Sequence, residues 1–207
     1  RVLEILPGLT SWMLILFPVW GSIFWPVGVA YFIIAFNVYW LYRSTTLAVA
    51  GVMSYYRIQA WEKYDWIGDV KGFADWKEVY HVIVLPTYKE PGEILVRTLK
   101  ALKAQTIGSK QIIPVIAMET RAGEEINKSR EEMLKKEFEG EFAGLFFFYH
   151  PSDIAGEVVG KSSNAAWAGK EFRKTLQKNK NWKLEKMTIS SVDCDVALHP
   201  NHLAALT

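Results

Sequence analysis

Val79-Tyr80-His81-Val82-Ile83-Val84-Leu85 is a short apolar run, rich in β-branched and aromatic residues, and it ends at Pro86. Such a run reads as a buried strand. The next segment, Pro91 to about Gln105, reads as a helix. Pro91 suits a first turn, and Ile94, Leu95, Leu99 and Leu102 make one apolar stripe. The alternation then repeats. Gln111 to Met118 is a second strand, Ala122 to about Phe142 a helix dense in Glu, Lys and Arg, and Leu145 to Tyr149 a third strand. Lys161 to about Lys178 is a third helix, Met187 to Val192 a fourth strand, and Pro200 opens another helix. The charge run on the middle helix reads as a solvated face. This alternation predicts an α/β fold with a mostly parallel sheet covered on both faces.

Upstream the pattern changes. From Ile5 to Tyr42 there is no charged residue, a run of 38 that holds Trp12, Trp20, Trp25 and Trp40. As one helix it would span roughly 57 Å at about 1.5 Å per residue, whereas a bilayer core needs about 20 residues. Two short transmembrane helices fit better, with a turn among Gly21-Ser22 and Trp25-Pro26-Val27-Gly28. A signal peptide fits poorly, because the run is too long and shows no small-residue cleavage site. Arg43, Arg57 and Lys63 follow among Tyr55, Tyr56, Trp61 and Trp66, as in a stretch lying on a membrane surface. The positive flank favours a cytoplasmic place for the rest. The expected organisation is a transmembrane hairpin over 1–45, an interfacial linker over 46–76 and an α/β unit over 77–207.

Length and composition agree with one ordinary domain plus a membrane segment: 207 residues, 50% hydrophobic and 22% charged. Lys plus Arg is 24 against 22 for Asp plus Glu, and a net charge of +2 gives no nucleic-acid footprint. Cys194 is the sole cysteine, so neither an intramolecular disulfide nor a cysteine-based zinc cluster can form. The chain begins at Arg1 rather than Met, and Thr207 falls shortly after Pro200, so it reads as the N-terminal piece of a longer protein.

In α/β folds ligands collect at the carboxyl ends of the strands. Four loops therefore draw the eye: Pro86-Thr-Tyr-Lys-Glu90, Glu119-Thr-Arg121, His150-Pro-Ser-Asp153 and Asp193-Cys-Asp195. All four are expected on one rim. Asp193 and Asp195 are two carboxylates at a strand end. Close carboxylates repel unless a cation joins them, and their oxygens suit Mg²⁺ or Mn²⁺, which usually also bind substrate phosphates. Cys194 between them reads as a small packing residue rather than a nucleophile, since no base is evident nearby. Gly160-Lys161-Ser-Ser-Asn164 can approach a phosphate at a helix start, with Lys161 adding a point charge. It is not a P-loop, because the first glycine of that motif does not fall at the required spacing.

Taken in order, Leu85-Pro-Thr-Tyr-Lys-Glu90, Gly156-Glu157, Gly160-Lys161, Asn164-Ala165-Ala166 and Val192-Asp-Cys-Asp195 resemble the inverting family 2 glycosyltransferases. The membrane-bound members related to cellulose and hyaluronan synthases are the most similar, over roughly Tyr80 to Thr207. The resemblance implies a GT-A, Rossmann-like fold and the donor-nucleotide half of its domain. It implies that Pro86, Thr87 and Tyr88 line the base and ribose pocket and that Glu90 holds that loop. Glu119 stands where an acidic residue, more commonly Asp, contacts uracil. Lys161 would lie by the base or diphosphate, with Asn164 supporting the loop. Asp193 and Asp195 would bind the diphosphate of the sugar nucleotide through Mg²⁺ or Mn²⁺.

The implied activity is transfer of a sugar, with inversion, from a nucleotide-diphosphate sugar to a saccharide or lipid acceptor. A UDP-sugar comes first among donors. The implied location is the inner or plasma membrane, multi-pass, with the catalytic domain cytoplasmic. The family's general base and its Gln-x-x-Arg-Trp motif lie downstream of the D-x-D and have no counterpart among these residues, so this stretch alone is expected to bind nucleotide weakly and transfer nothing. Two other readings stand beside it. Phosphatases of the haloacid dehalogenase type also carry D-x-D after a strand, but there Gly-Thr follows, where this chain has Val196-Ala197. A membrane-anchored, non-catalytic nucleotide-binding or assembly subunit would keep the pocket without the chemistry.

Overall fold

The computed structural model describes residues 2–178 and 182–207. The chain forms two compact units, Arg1–Tyr64 and Asp65–Thr207.

The first unit is two helices, α1 (Val2–Phe24) and α2 (Pro26–Lys63). They break at Trp25, whose backbone is non-helical at φ −149° and ψ 67°, and Pro26 starts the second helix. Beside the break the helices fold back on each other. Phe17 meets Phe32 edge to face at 5.1 Å between ring centroids. Gly21 has no Cβ, and a Cβ there would come within 2.9 Å of Val29, so the glycine permits the close approach. Asn37 and Thr45 bond back to the carbonyls of Ile33 and Leu41, so these polar groups are satisfied within their own helix. Among the described residues one helix, over Leu3–Phe24, is long and apolar enough to cross a membrane, with mean hydropathy 1.5. None of its most apolar stretch is buried, unlike a core helix of a soluble protein. The second helix is not short: it runs on without a break at residue 45 to Lys63.

The second unit is the expected α/β layer structure. Its strands are β1 (Tyr80–Thr87), β2 (Ile112–Glu119), β3 (Phe146–His150) and β4 (Met187–Ser191). They form one all-parallel sheet in the order β3-β2-β1-β4. β1 and β2 are central and almost wholly buried, which is why they read as unbroken apolar runs rather than alternating ones. Alternate residues still part to opposite faces. Ile83, Leu85, Ile116 and Met118 pack with Leu95, Leu99 and Leu102 of α4 (Gly92–Lys103) and Leu134 and Phe138 of α5 (Glu124–Phe138). Val82, Val84, Val115 and Ala117 pack with Ala168, Phe172 and Leu176 of α6 (Lys161–Lys178). Among the described residues α4 and α5 thus cover one face and α6 the other.

Two segments differ from expectation. The short helix α3 (Trp66–Val70) does not belong to a surface linker: Val70 is buried in the α4/α5 core with Leu203, and Trp66 and Ile67 pack against it. The α/β unit therefore begins before residue 77. After Pro200 the chain forms turns and a single 3-10 turn, Ala204–Leu206, rather than an α-helix.

His81 lies at the start of β1, fully buried. Its Nδ1 is 2.7 Å from the Thr188 hydroxyl and its Nε2 3.0 Å from the Thr207 hydroxyl. Burial, with the nearby charge of His202, pushes its pKa down to about 4 from 6.5. The fold therefore holds a neutral imidazole that the unfolded chain protonates. The stabilisation is full above about pH 6.5 and is lost as pH falls toward 4, up to about 3 kcal/mol over that window. We predict that the urea midpoint of the α/β unit, followed by circular dichroism of the full chain in detergent, drops between pH 7 and pH 5, and that His81→Gln flattens the drop. A wild-type midpoint constant over that range would contradict this.

Candidate functional site

The site begins with a proline. β1 pairs with β4 only as far as Val84 and Ser191, yet with β2 as far as Thr87 and Met118. The Val84 carbonyl accepts from the Val192 N–H, so Val84 faces β4. Two residues on, Pro86 faces the same side and has no N–H to continue the ladder. β1 and β4 therefore part there. This is also where the strand order reverses, since the chain leaves β1 for β2 on one side and returns to β4 on the other.

A cleft of about 410 Å³ opens at this point. Pro86, Thr87, Tyr88, Glu90, Glu119, Lys161, Asn164, Asp193 and Asp195 all line it, together with Ile94 and Cys194. The nine residues singled out from the sequence thus share one cavity. The third loop does not join them: His150 is buried, its Nε2 is 3.1 Å from Glu157 Oε1, and no residue of 150–153 lines the cleft. A larger cavity of about 680 Å³ lies along α5 and Tyr149. Two ion pairs lie along it, Lys128 with Glu124 and Lys135 with Glu131, and none of the nine lines it.

Glu90 holds the loop after β1. Its Oε2 accepts from the Thr87 hydroxyl at 2.8 Å and from the Tyr88 N–H at 2.6 Å. Burial pushes this carboxyl up, but those two bonds and the charge of Arg130 outweigh it and hold the group below its ordinary value. Arg130, on α5, donates to the Tyr88 carbonyl at 2.9 Å. Tyr88 is thereby fixed at both its N–H and its carbonyl. Asn164, in the first turn of α6, is buried and donates to the Ala117 carbonyl at 2.8 Å and weakly to that of Thr87 at 3.5 Å. It ties α6 to the ends of two strands, while its Oδ1 meets no donor among the described residues.

The other wall is Asp193-Cys194-Asp195. Cys194 is buried, and burial first, then the charges of Glu90 and Asp195, pushes its thiol pKa up, as befits a packing residue. The loop is pinned by two neighbouring side chains of α4. Thr98 Oγ1 donates to the Cys194 carbonyl at 2.6 Å, and Arg97 donates to the Asp195 carbonyl at 2.9 Å. Sequence reading missed both. The one available signal was Thr98, a polar residue on the helix face that carries Leu95, Leu99 and Leu102. Lys161 forms an ion pair with Asp193 across the cleft.

Among the described residues no group of three or more His, Cys, Asp or Glu side chains could hold a metal by itself. The donor set of Asp193 and Asp195 fits a different mode, in which a hard cation takes one or two carboxylates and completes its shell with phosphate oxygens and water.

Thr98→Val keeps the side-chain shape but leaves the buried Cys194 carbonyl without its donor. We expect it to destabilise the α/β unit by about 1–3 kcal/mol in urea titration. An unchanged midpoint would show that the threonine does not hold the loop.

No protein-family model matches the chain, and no curated protein matches it.

Proposed function

We propose that the cleft binds a nucleoside diphosphate sugar, a UDP-sugar first among them, and serves a membrane-anchored inverting glycosyltransferase of the GT-A type. What supports the reading most is the convergence of Pro86 through Asp195 on one cleft at the strand switch, with a carboxylate pair and a lysine facing each other across it.

On this reading the base rests by Tyr88 and Glu119, in the part of the cleft between β1 and β2. The diphosphate lies toward Lys161 at the start of α6, where helix N–H groups favour an anion. Asp193 and Asp195 would hold Mg²⁺ or Mn²⁺. When bound, the cation offsets the charge that gathers on the departing diphosphate. Lys161 contributes the same kind of stabilisation once it leaves Asp193 for a phosphate oxygen. The acceptor hydroxyl, from a saccharide or lipid, attacks the anomeric carbon on the face opposite the leaving group and gives its proton to a general base. The family resemblance puts that base after Asp195. In the inner or plasma membrane, α1 crosses, the uncharged start of α2 from Pro26 to Tyr42 returns, and Arg43, Arg57 and Lys63 mark the cytoplasmic side.

The test is calorimetric titration of the full chain in detergent with UDP, with and without Mn²⁺ or Mg²⁺. Cation-dependent binding is expected, and Asp195→Ala should weaken it about tenfold or more, the range for losing one charge-assisted contact. Failure of the wild type to bind UDP with either cation, or unchanged binding by Asp195→Ala, would overturn the proposal.

A further inference from the structure

We propose that Arg121 is the positioning residue that sets base selectivity at the cleft, although it does not itself line it. This rests on the reading of the cleft as a nucleotide site. Arg121 lies in a 3-10 turn, Thr120–Ala122, directly after β2. From there it reaches back over two groups that do line the cleft. Its Nε donates to Glu119 Oε2 at 2.9 Å, and its Nη2 donates to the same oxygen. Its guanidinium carbon lies 4.9 Å from the centroid of the Tyr88 ring.

The pairing has a clear physical reason. The Glu119 side chain is only 7% exposed, and a carboxylate that far out of water is costly without a partner. Arg121 is that partner, and a guanidinium fixes direction as well as charge, because its donors are coplanar. Both donors converge on Oε2, so Oε1 takes neither of them. Asn127 Nδ2 holds the backbone of the same residue, donating to the Glu119 carbonyl at 2.9 Å. The result is an acceptor oxygen with a set direction at the cleft. Tyr88 is oriented in parallel. Its main chain is held by Glu90 and Arg130, and its ring carries Arg121. Lys89 also lies 5.2 Å from that ring, but its side chain is exposed and has no such anchor.

A fixed carboxylate oxygen discriminates between bases by sign. It accepts from a ring N–H, as uracil offers at N3, and repels a ring nitrogen that is itself an acceptor, as in cytosine. Sites built around a hydrogen bond reject the analogue that cannot make it far more strongly than apolar pockets do. The discrimination needs Glu119 to stay in place, and Arg121 keeps it there.

The experiment compares UDP, CDP and inorganic pyrophosphate, each with Mn²⁺, for the full chain in detergent. The wild type should bind UDP about tenfold or more tighter than CDP, the size of one good polar discrimination. Arg121→Gln should bring the UDP-to-CDP ratio close to one and leave pyrophosphate affinity unchanged, since pyrophosphate touches neither Tyr88 nor Glu119. Arg121→Lys, which keeps the charge but not the planar fork, should give an intermediate ratio, and it decides the matter if Arg121→Gln fails to fold. A ratio preserved in the variants, a wild type that binds UDP and CDP alike, or pyrophosphate affinity falling in step with UDP would overturn the inference while leaving the nucleotide site standing. A wild type that binds no nucleotide would overturn both.

Discussion

One missing N–H shapes this site. β1 can bond β4 through Val84 but not through Pro86, so the two strands part three residues before β1 stops pairing with β2. Everything that gives the cleft its chemistry depends on that parting. It leaves room between the Pro86–Glu90 loop and Asp193–Asp195, and it lets α6 bring Lys161 and Asn164 up to the strand ends. A residue with an N–H at position 86 could extend the ladder toward Val192 and narrow the opening. Pro114 has the same character in β2: its absent N–H falls on the β3 side, before that ladder begins at Val115 and Phe146. There it costs nothing.

The cleft walls are held from behind by polar side chains on the two helices of one face. Thr98 and Arg97 of α4 grip the carbonyls of Cys194 and Asp195, while Arg130 and Asn127 of α5 grip those of Tyr88 and Glu119. The main-chain carbonyls of both walls are thereby satisfied by protein rather than water. This leaves the side chains of Tyr88, Glu119, Asp193 and Asp195 as the variable chemistry. Two of the three carboxylates carry a cation already: Glu119 has Arg121 and Asp193 has Lys161. The two pairs differ in kind. The Glu119 carboxylate is buried, and its arginine is structural to it. The Lys161 and Asp193 side chains are both more than half exposed, and such pairs are weak, so this one separates at little cost when a better ligand arrives.

Much of this architecture was legible in the sequence. The apolar runs at Val79–Leu85 and Gln111–Met118 announced central parallel strands because both their faces are covered. Lys161 and Lys178 bounded a helix that forms at those residues. The rule that ligands gather at strand ends pointed to seven of the nine residues that share one cavity, and the Gly160–Asn164 helix start pointed to Lys161 and Asn164. What stayed hidden was long-range. No local pattern tells that Thr98 reaches Cys194, 96 residues away, or that Arg130 reaches Tyr88. Arg121 was visible only as a member of its loop, since its pairing depends on how the chain turns after β2. The helical extent of α2 was masked by a composition change near Arg43 that alters polarity without breaking the helix. Trp66 read as a membrane-surface aromatic within an interfacial linker, because amphipathic packing on a lipid surface and on a protein core share one pattern.

The central claim is that the parting of β1 and β4 is where this chain holds its ligand. Hydrogen–deuterium exchange of the full chain in detergent, with and without UDP and Mn²⁺, tests it most directly. The account predicts slowed exchange in the peptides carrying Tyr88–Glu90, Lys161–Asn164 and Asp193–Asp195, and no change along Glu124–Lys135, where the larger cavity lies. Protection confined to that second cavity, or protection nowhere in residues 65–178 and 182–207, would contradict it.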